Sequence, residues 1–370
     1  MKPGLRLLLV TDAVGGVWVY SLELARALQP LGVETVLAVL GPSPSAAQRE
    51  EARGLKIVDT GLPLDWLETS PRALRDAGQA LAEIASREGA DIVQTCSAAL
   101  LADCEFDQPC VAVQHSCVAS WWAAVKGTAL PADFRWRREL AECGLNRADA
   151  VVAPSIAFAA ETARIYDMRV PPAAVHNGRR SAALSAVAGA DFILTASRLW
   201  DEGKNVATLD KAAARLRVPF EAAGAFHGPN GASVRLNNLH ALGHVSSARL
   251  NSLFSARPIF ASAALYEPFG LSVLEAASAG CALVLSDIPT HRELWSGAAI
   301  FVPARDDAAF ASAFQDLLDD PDERQELGQL ARARAQHYSP ERMARGMADI
   351  YARLAPATAV EMPLELAGAA

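Results

Sequence analysis

The sequence predicts an α/β chain of two doubly wound domains facing a cleft, and three observations predict it. At 370 residues the chain exceeds the ~250–300 over which one hydrophobic core keeps growing. Its first forty residues spell strand, glycine turn, helix and strand. After a stretch punctuated by proline and glycine, from Pro171 to Ser181, the same alternation begins again.

The opening strand is expected at Leu5–Thr11. Its apolar run ends at Val10 and meets Asp12 and the pair Gly15-Gly16, which is too early a stop for a signal peptide. A helix over Val19–Leu28 follows, then Gly32 and a strand at Thr35–Leu40. Short apolar runs at Ile92–Thr95, Val111–Gln114 and Ala150–Ala153, each preceded by a more polar or helical segment, extend a parallel sheet to about residue 176. Beyond the Asn177-Gly178 turn, strands are expected at Phe192–Ala196, Phe220–Ala223, His240–Leu242, Ile259–Ala261, Ala282–Ser286 and Ala299–Val302. Helices alternate with them at Val206–Leu216, Ser247–Ser255, Leu271–Ala279 and Asp307–Asp319. Ser339, with Pro340 at the first helical position, caps a final helix ending at Leu354. The organisation is therefore a Rossmann-like domain over 1–178, a second over 179–338, a helix over 339–354 that packs back on the first domain, and a tail over 355–370.

A formal net charge of −8 argues against a nucleic-acid-binding surface. No apolar stretch approaches the ~18–20 residues of a membrane span, so membrane contact is at most peripheral. The six cysteines include no C-x-x-C pair and read as free thiols of a cytoplasmic protein.

The segment from Leu265 to Pro289 carries the most chemistry. A strand leads to Pro268-Phe269-Gly270, a helix opens at Leu271, and Gly280 ends it. The free N–H groups and positive dipole end of such a helix favour a phosphate, which Gly270 allows to come close. Glu267 lies just before the turn and Glu275 one turn into the helix. A carboxylate would be repelled by the diphosphate itself, so the fitting partners are hydroxyl pairs: a sugar for Glu267 and a ribose for Glu275. Arg198 and Lys204 leave the first strand of the second half, at the sheet edge where open α/β folds bind ligands. Gly15 and Gly16 occupy the first strand-to-helix turn, and they do not spell the dinucleotide fingerprint G-x-G-x-x-G. His115 follows the run Val111–Gln114 and should emerge at the carboxyl end of its strand, facing the cleft.

The Glu267-x7-Glu275 segment resembles the motif of glycosyltransferase family 4, retaining enzymes with the GT-B fold, and the likeness covers most of the chain. It implies that Glu267 contacts the transferred sugar and Glu275 the ribose. It implies that Arg198 and Lys204 meet the donor phosphates, although Ser197 stands where the family usually has glycine. The resemblance further implies that Gly15 and Gly16 approach donor or acceptor across the cleft, that His115 touches the donor sugar, and that the Val245 backbone meets the base. Phe269, Gly270 and Leu271 complete the donor set. In this fold the first domain recognises the acceptor, so Trp121, Trp122, Phe134 and Trp136, interleaved with arginines, could stack on a sugar, rest on a lipid interface or simply pack. Asp320-Pro-Asp322 has the spacing of metal-binding acids but sits in a run of helix-ending acids, so no essential metal or other cofactor is expected.

The implied activity is transfer of a hexosyl unit, with retained configuration, from a nucleoside-diphosphate sugar to an unidentified hydroxyl acceptor. Two rivals share the frame: a nucleotide-sugar epimerase or glycogen-phosphorylase-like enzyme, which would need further acid/base groups or a pyridoxal lysine, and a non-catalytic nucleotide-sugar-binding protein.

Overall fold

The computed structural model describes residues 4–180 and 189–354. The tail expected over 355–370 lies outside them. Strand β1 (Leu5–Asp12) is apolar on both faces and is buried at the centre of the first sheet. It pairs in parallel with β2 (Val33–Leu40) and β4 (Ile92–Thr95). With β3 (Lys56–Asp59), β5 (Cys110–Val113), β6 (Ala150–Ala153) and β7 (Ala173–Ala174) they form a seven-stranded sheet in the order β3-β2-β1-β4-β5-β6-β7. The second sheet has six strands, β8 (Ile193–Ala196), β9 (Phe220–Ala223), β10 (His240–Gly243), β11 (Ile259–Ser262), β12 (Ala282–Ser286) and β13 (Ile300–Val302), in the order β10-β9-β8-β11-β12-β13. The pairings in both sheets are parallel, so the loops that follow the strands gather along one edge of each sheet, where ligands of such folds bind.

The first sheet is flanked by α1 (Gly16–Leu28), α2 (Ala46–Glu51), α3 (Pro71–Glu88), α4 (Val118–Lys126), α5 (Arg135–Arg147) and α6 (Ile156–Ile165). The second is flanked by α7 (Val206–Ala213), α8 (Ser247–Ser255), α9 (Leu271–Ala279), α10 (Pro289–Trp295), α11 (Asp307–Asp319) and α12 (Pro321–Ala335). Helix α1 starts earlier than expected because Gly15, at φ 106°, makes the whole turn and releases the chain into helical geometry at Gly16. Helix α7 stops at Ala213, short of Leu216. Strand β7 falls inside the stretch that reads as punctuation.

The last helix, α13 (Pro340–Leu354), returns to the first domain. Its Met343, Met347, Ile350 and Tyr351 enter one core with Leu5, Leu7, Leu9, Trp18, Tyr20 and Leu24. Each such side chain contributes roughly 1.5–3 kcal/mol by leaving water. The Tyr351 hydroxyl also donates to the Gln94 side-chain carbonyl. In the second domain α12 presses on the end of α9 so closely that a Cβ on Gly328 would stand 2.3 Å from the Gly280 carbonyl oxygen. That contact fixes the direction in which α9 points its other end.

Candidate functional site

The site grows from the carboxyl edge of the second sheet. After β8 the chain turns through Ser197–Asn205, where Asn205 adopts a left-handed conformation at φ 51° and donates from Nδ2 to the carbonyls of Ala263 (3.0 Å) and Ala304 (2.6 Å). This pins the loop across the strand ends. The backbone N–H groups of Leu265 and Tyr266 in turn donate to the Gly203 carbonyl at 2.8 and 3.2 Å. The two segments thus brought together set Lys204 Nζ 2.6 Å from Glu267 Oε2, with about one seventh of each side chain exposed. Gly270, at φ 92°, opens α9 without any side-chain cap, so the first N–H donors of that helix face the cleft unpaired by side chains. Arg198 lies beside them, held at 3.1 Å by Asp201 Oδ2 and resting over the Trp200 ring.

The first domain meets this edge directly. Gly16, which opens the equally uncapped α1, comes so near α9 that a Cβ there would touch Leu271 Cδ1 at 3.5 Å. Two positive helix ends therefore approach one another beside Arg198 and Lys204. His115, two residues past β5, sets its ring edge-on to Tyr20 with centroids 4.4 Å apart. Its Nε2 is buried without a hydrogen-bond partner. Burial pushes the imidazole down to about 4, so at neutral pH it is uncharged. Burial also works to raise the Glu267 carboxyl, but the Lys204 ammonium more than offsets it and the group lies below its ordinary range.

Glu275 is bound into a chain of charges that sequence alone does not reveal. Arg179 donates from Nε to Glu275 Oε1 and from Nη1 to Glu23 Oε1, both at 2.8 Å, and so ties α9 to α1. Burial holds the Glu275 carboxyl above its usual value in spite of that partner. His291 is a second residue sequence reasoning missed. It is fully buried, receives the fields of Glu267 and Lys204, and turns Nδ1 to the Ser286 carbonyl at 3.0 Å while Nε2 has no partner. A lone histidine after Pro289-Thr290 carries no signal without the fold.

Further contacts close the cleft. Ser155 Oγ donates to the Pro268 carbonyl at 2.7 Å, Cys117 N to the Tyr266 hydroxyl at 3.2 Å, and Glu293 accepts from Ile156 N, Ala157 N and His176. The aromatic segment belongs to this set: Trp121 Nε1 donates to Asp201 Oδ1 at 3.0 Å, and Lys126 pairs with Glu202 at 2.5 Å. Trp121 is thus a packing residue between the halves. Phe269 turns its ring into the core against Tyr338, which leaves its backbone as the part able to meet a ligand. Val245 is half-buried past the end of β10, on the same edge. Asp320 spends its carboxylate on the Glu323 N–H, capping α12. Among the described residues no group of three His, Cys, Asp or Glu could hold a metal, and no helix is long and apolar enough to cross a membrane.

Two family models match the sequence: Glycosyltransferase Family 4 over residues 14–180, and Glycosyl transferases group 1 over residues 232–334. The first span holds Gly15, Gly16, His115 and Arg179, and the second holds Val245, Glu267 and Glu275. The sequence matches no curated protein. Among solved structures, sucrose-phosphate synthase from Thermosynechococcus elongatus superposes with a TM-score of 0.76 at 18% identity, over 95% of this chain and 100% of that one. The Anabaena protein Alr3699/HepE, in complex with UDP-glucose, gives 0.71 at 16% identity over 94% and 100%. A glycosyltransferase from Rickettsia africae ESF-5 gives 0.68 at 18% over 95% and 98%. At these identities the likeness establishes the two-domain architecture.

Proposed function

The chain is a family 4-like glycosyltransferase of the GT-B fold, and from that premise we propose that it moves a hexosyl unit, with retained configuration, from a nucleoside-diphosphate sugar to a hydroxyl acceptor. The observation that carries this reading is the Lys204–Glu267 pair, 2.6 Å apart, at the uncapped start of α9 and opposite the start of α1. One place thereby offers both a positive field for a diphosphate and a carboxylate for a sugar. That the structurally similar HepE was solved with UDP and with UDP-glucose supports a nucleotide-sugar donor here as well.

In this reading the diphosphate lies across the start of α9, in reach of Arg198 and Lys204. Lys204 exchanges its carboxylate partner for a phosphate, and Glu267 turns to sugar hydroxyls. Glu275 takes the ribose diol, and the neutral His115 offers Nε2 to the sugar. The bond between the anomeric carbon and the phosphate oxygen breaks, and the charge left on that oxygen is met by fixed cations and helix N–H groups in a water-poor site. The acceptor oxygen bonds to the anomeric carbon from the same face, and its proton passes to the departing phosphate oxygen. No covalent glycosyl-enzyme is involved, and the positive field is supplied by the protein, so no divalent cation has a role.

The test is a thermal-shift and hydrolysis screen against UDP-, GDP-, ADP- and dTDP-sugars, with and without a chelator, on the wild type, Glu275→Ala and Lys204→Ala. One nucleotide should stabilise the wild type regardless of chelator, and each variant should bind it at least about tenfold more weakly. A folded protein that responds to no donor would falsify the proposal.

A further inference from the structure

Helix α4 of the first domain touches the second domain at the residues that flank each of its charged groups. Trp121 Nε1 donates to Asp201 Oδ1 at 3.0 Å, and the same carboxylate holds Arg198. Lys126 pairs with Glu202, two residues before Lys204. Ser120 Oγ and Cys117 N meet the Tyr266 hydroxyl at 2.8 and 3.2 Å, and Tyr266 precedes Glu267.

Asp201 is the centre of this contact. It is 7% exposed, and its two oxygens have separate partners. Oδ1 accepts from Trp121 Nε1 and from Gly203 N at 2.9 Å, while Oδ2 accepts from Arg198 Nη2 at 3.1 Å. Two N–H donors converging on one oxygen fix the plane of the carboxylate, and with it the direction in which the other oxygen holds the guanidinium. Without the indole, Asp201 keeps on that oxygen only the N–H of its own turn and is free to swing, taking Arg198 with it. The bond to Asp201 uses one of the five N–H donors of a guanidinium. The Arg198 side chain is 45% exposed, which leaves the remaining donors open to a phosphate.

Gly203 shows that the turn is shaped around this contact. Its φ is not left-handed, so the backbone itself does not call for glycine. A Cβ there would stand 2.8 Å from Trp121 Nε1 and 3.1 Å from Asp201 Oδ1. The room that glycine leaves is the room the indole of the other domain occupies.

We propose that Trp121 is a positioning residue for the donor phosphates: acting through Asp201, it aims Arg198 from the opposite domain, so that the grip on the diphosphate is complete only where α4 is docked. The inference rests on the donor reading of Arg198. Calorimetry and ligand-observed NMR on the full chain test it, with UDP, GDP, ADP and dTDP and the four corresponding nucleosides as probes. Trp121→Phe keeps the ring and removes the N–H. It should bind the preferred diphosphate at least about fivefold more weakly than the wild type and the matching nucleoside unchanged. In an Arg198→Gln background the same substitution should change diphosphate binding by less than about twofold, because the group it aims is gone. Undiminished diphosphate binding by Trp121→Phe, an equal loss for nucleoside and diphosphate, or a loss that persists in full without Arg198 overturns this inference and leaves the donor reading standing. If Trp121→Phe does not fold, Gly203→Ala, which displaces the indole from the other side, is carried through the same comparisons with the same expected outcomes. A folded wild type that binds none of the diphosphates overturns the donor reading, and the role of Trp121 falls with it.

Discussion

Asp12 closes β1 at the mouth of the cleft, 7% exposed, and its Oδ1 accepts from Val14 N at 2.7 Å. Burial pushes its carboxyl from 3.8 up to about 6, with the Val14 N–H opposing and the nearby Asp65 reinforcing. Between those two values the folded state keeps a proton that the unfolded chain has released, so stability contributed below about pH 4 is lost as pH rises through about 6. At 1.36 kcal/mol per unit the loss is about 3 kcal/mol. Asp12→Asn keeps the acceptor oxygen and removes the titration. Urea unfolding should therefore show the variant gaining about 3 kcal/mol on the wild type between about pH 4 and pH 7, and a gap that does not vary with pH would refute the burial account. Residues of this scale were legible where their neighbours in sequence announce them. Arg198, Lys204, Glu267 and Glu275 sit beside turns whose glycines and prolines mark strand ends. Glu23, Arg179 and His291 were not legible, because Arg179 reads as a linker charge until the fold sets it between two helices drawn from opposite halves of the chain.

At the scale of the element, α9 depends on Gly270. Its φ of 92° disfavours any side chain, and a Cβ would meet Val273 Cγ2 at 3.2 Å and Glu267 Cγ at 3.3 Å. Gly270→Ala should cost about 1–2 kcal/mol of stability by urea unfolding, and it should also blunt stabilisation by nucleotide sugar because the Glu267 stem is pushed aside. An unchanged donor response would mean that the helix start does not touch the ligand. Elements with a strong period and clear ends, such as α9 between Gly270 and Gly280, could be drawn from the sequence to the residue. Strand β3 could not, since at the sheet edge it is only half-buried and lacks a continuous apolar run. The single-turn helix at Glu202–Lys204 is too short for any period to show, and it is set by Asp201 and Asn205.

At the scale of the whole molecule, Arg179 is the tie across the cleft. Replacing it by methionine leaves Glu23 and Glu275 buried without a cation, a change that typically costs about 3–5 kcal/mol. Arg179→Met should therefore lower Tm and enlarge the radius of gyration in solution scattering as the halves part, with Glu23→Gln restoring part of both. A variant as compact and stable as the wild type would show the tie to be dispensable. The two-domain plan was legible from length and repeated alternation. The closeness of the two halves was not, because Trp121, Ser155 and Tyr266 carry no mark of partners that lie more than half a domain away in sequence.

The return of α13 bears on how the protein is made. The first sheet leaves the ribosome early, but the face of it that α13 covers waits for residues 340–354, after the entire second domain has been translated. At ~5–20 residues per second that interval is of the order of ten seconds or more, during which Leu5, Trp18 and their neighbours lack their last partner. The domain that begins first is thus finished last, and the nascent chain is most open to chaperones and to self-association while its second half is being made.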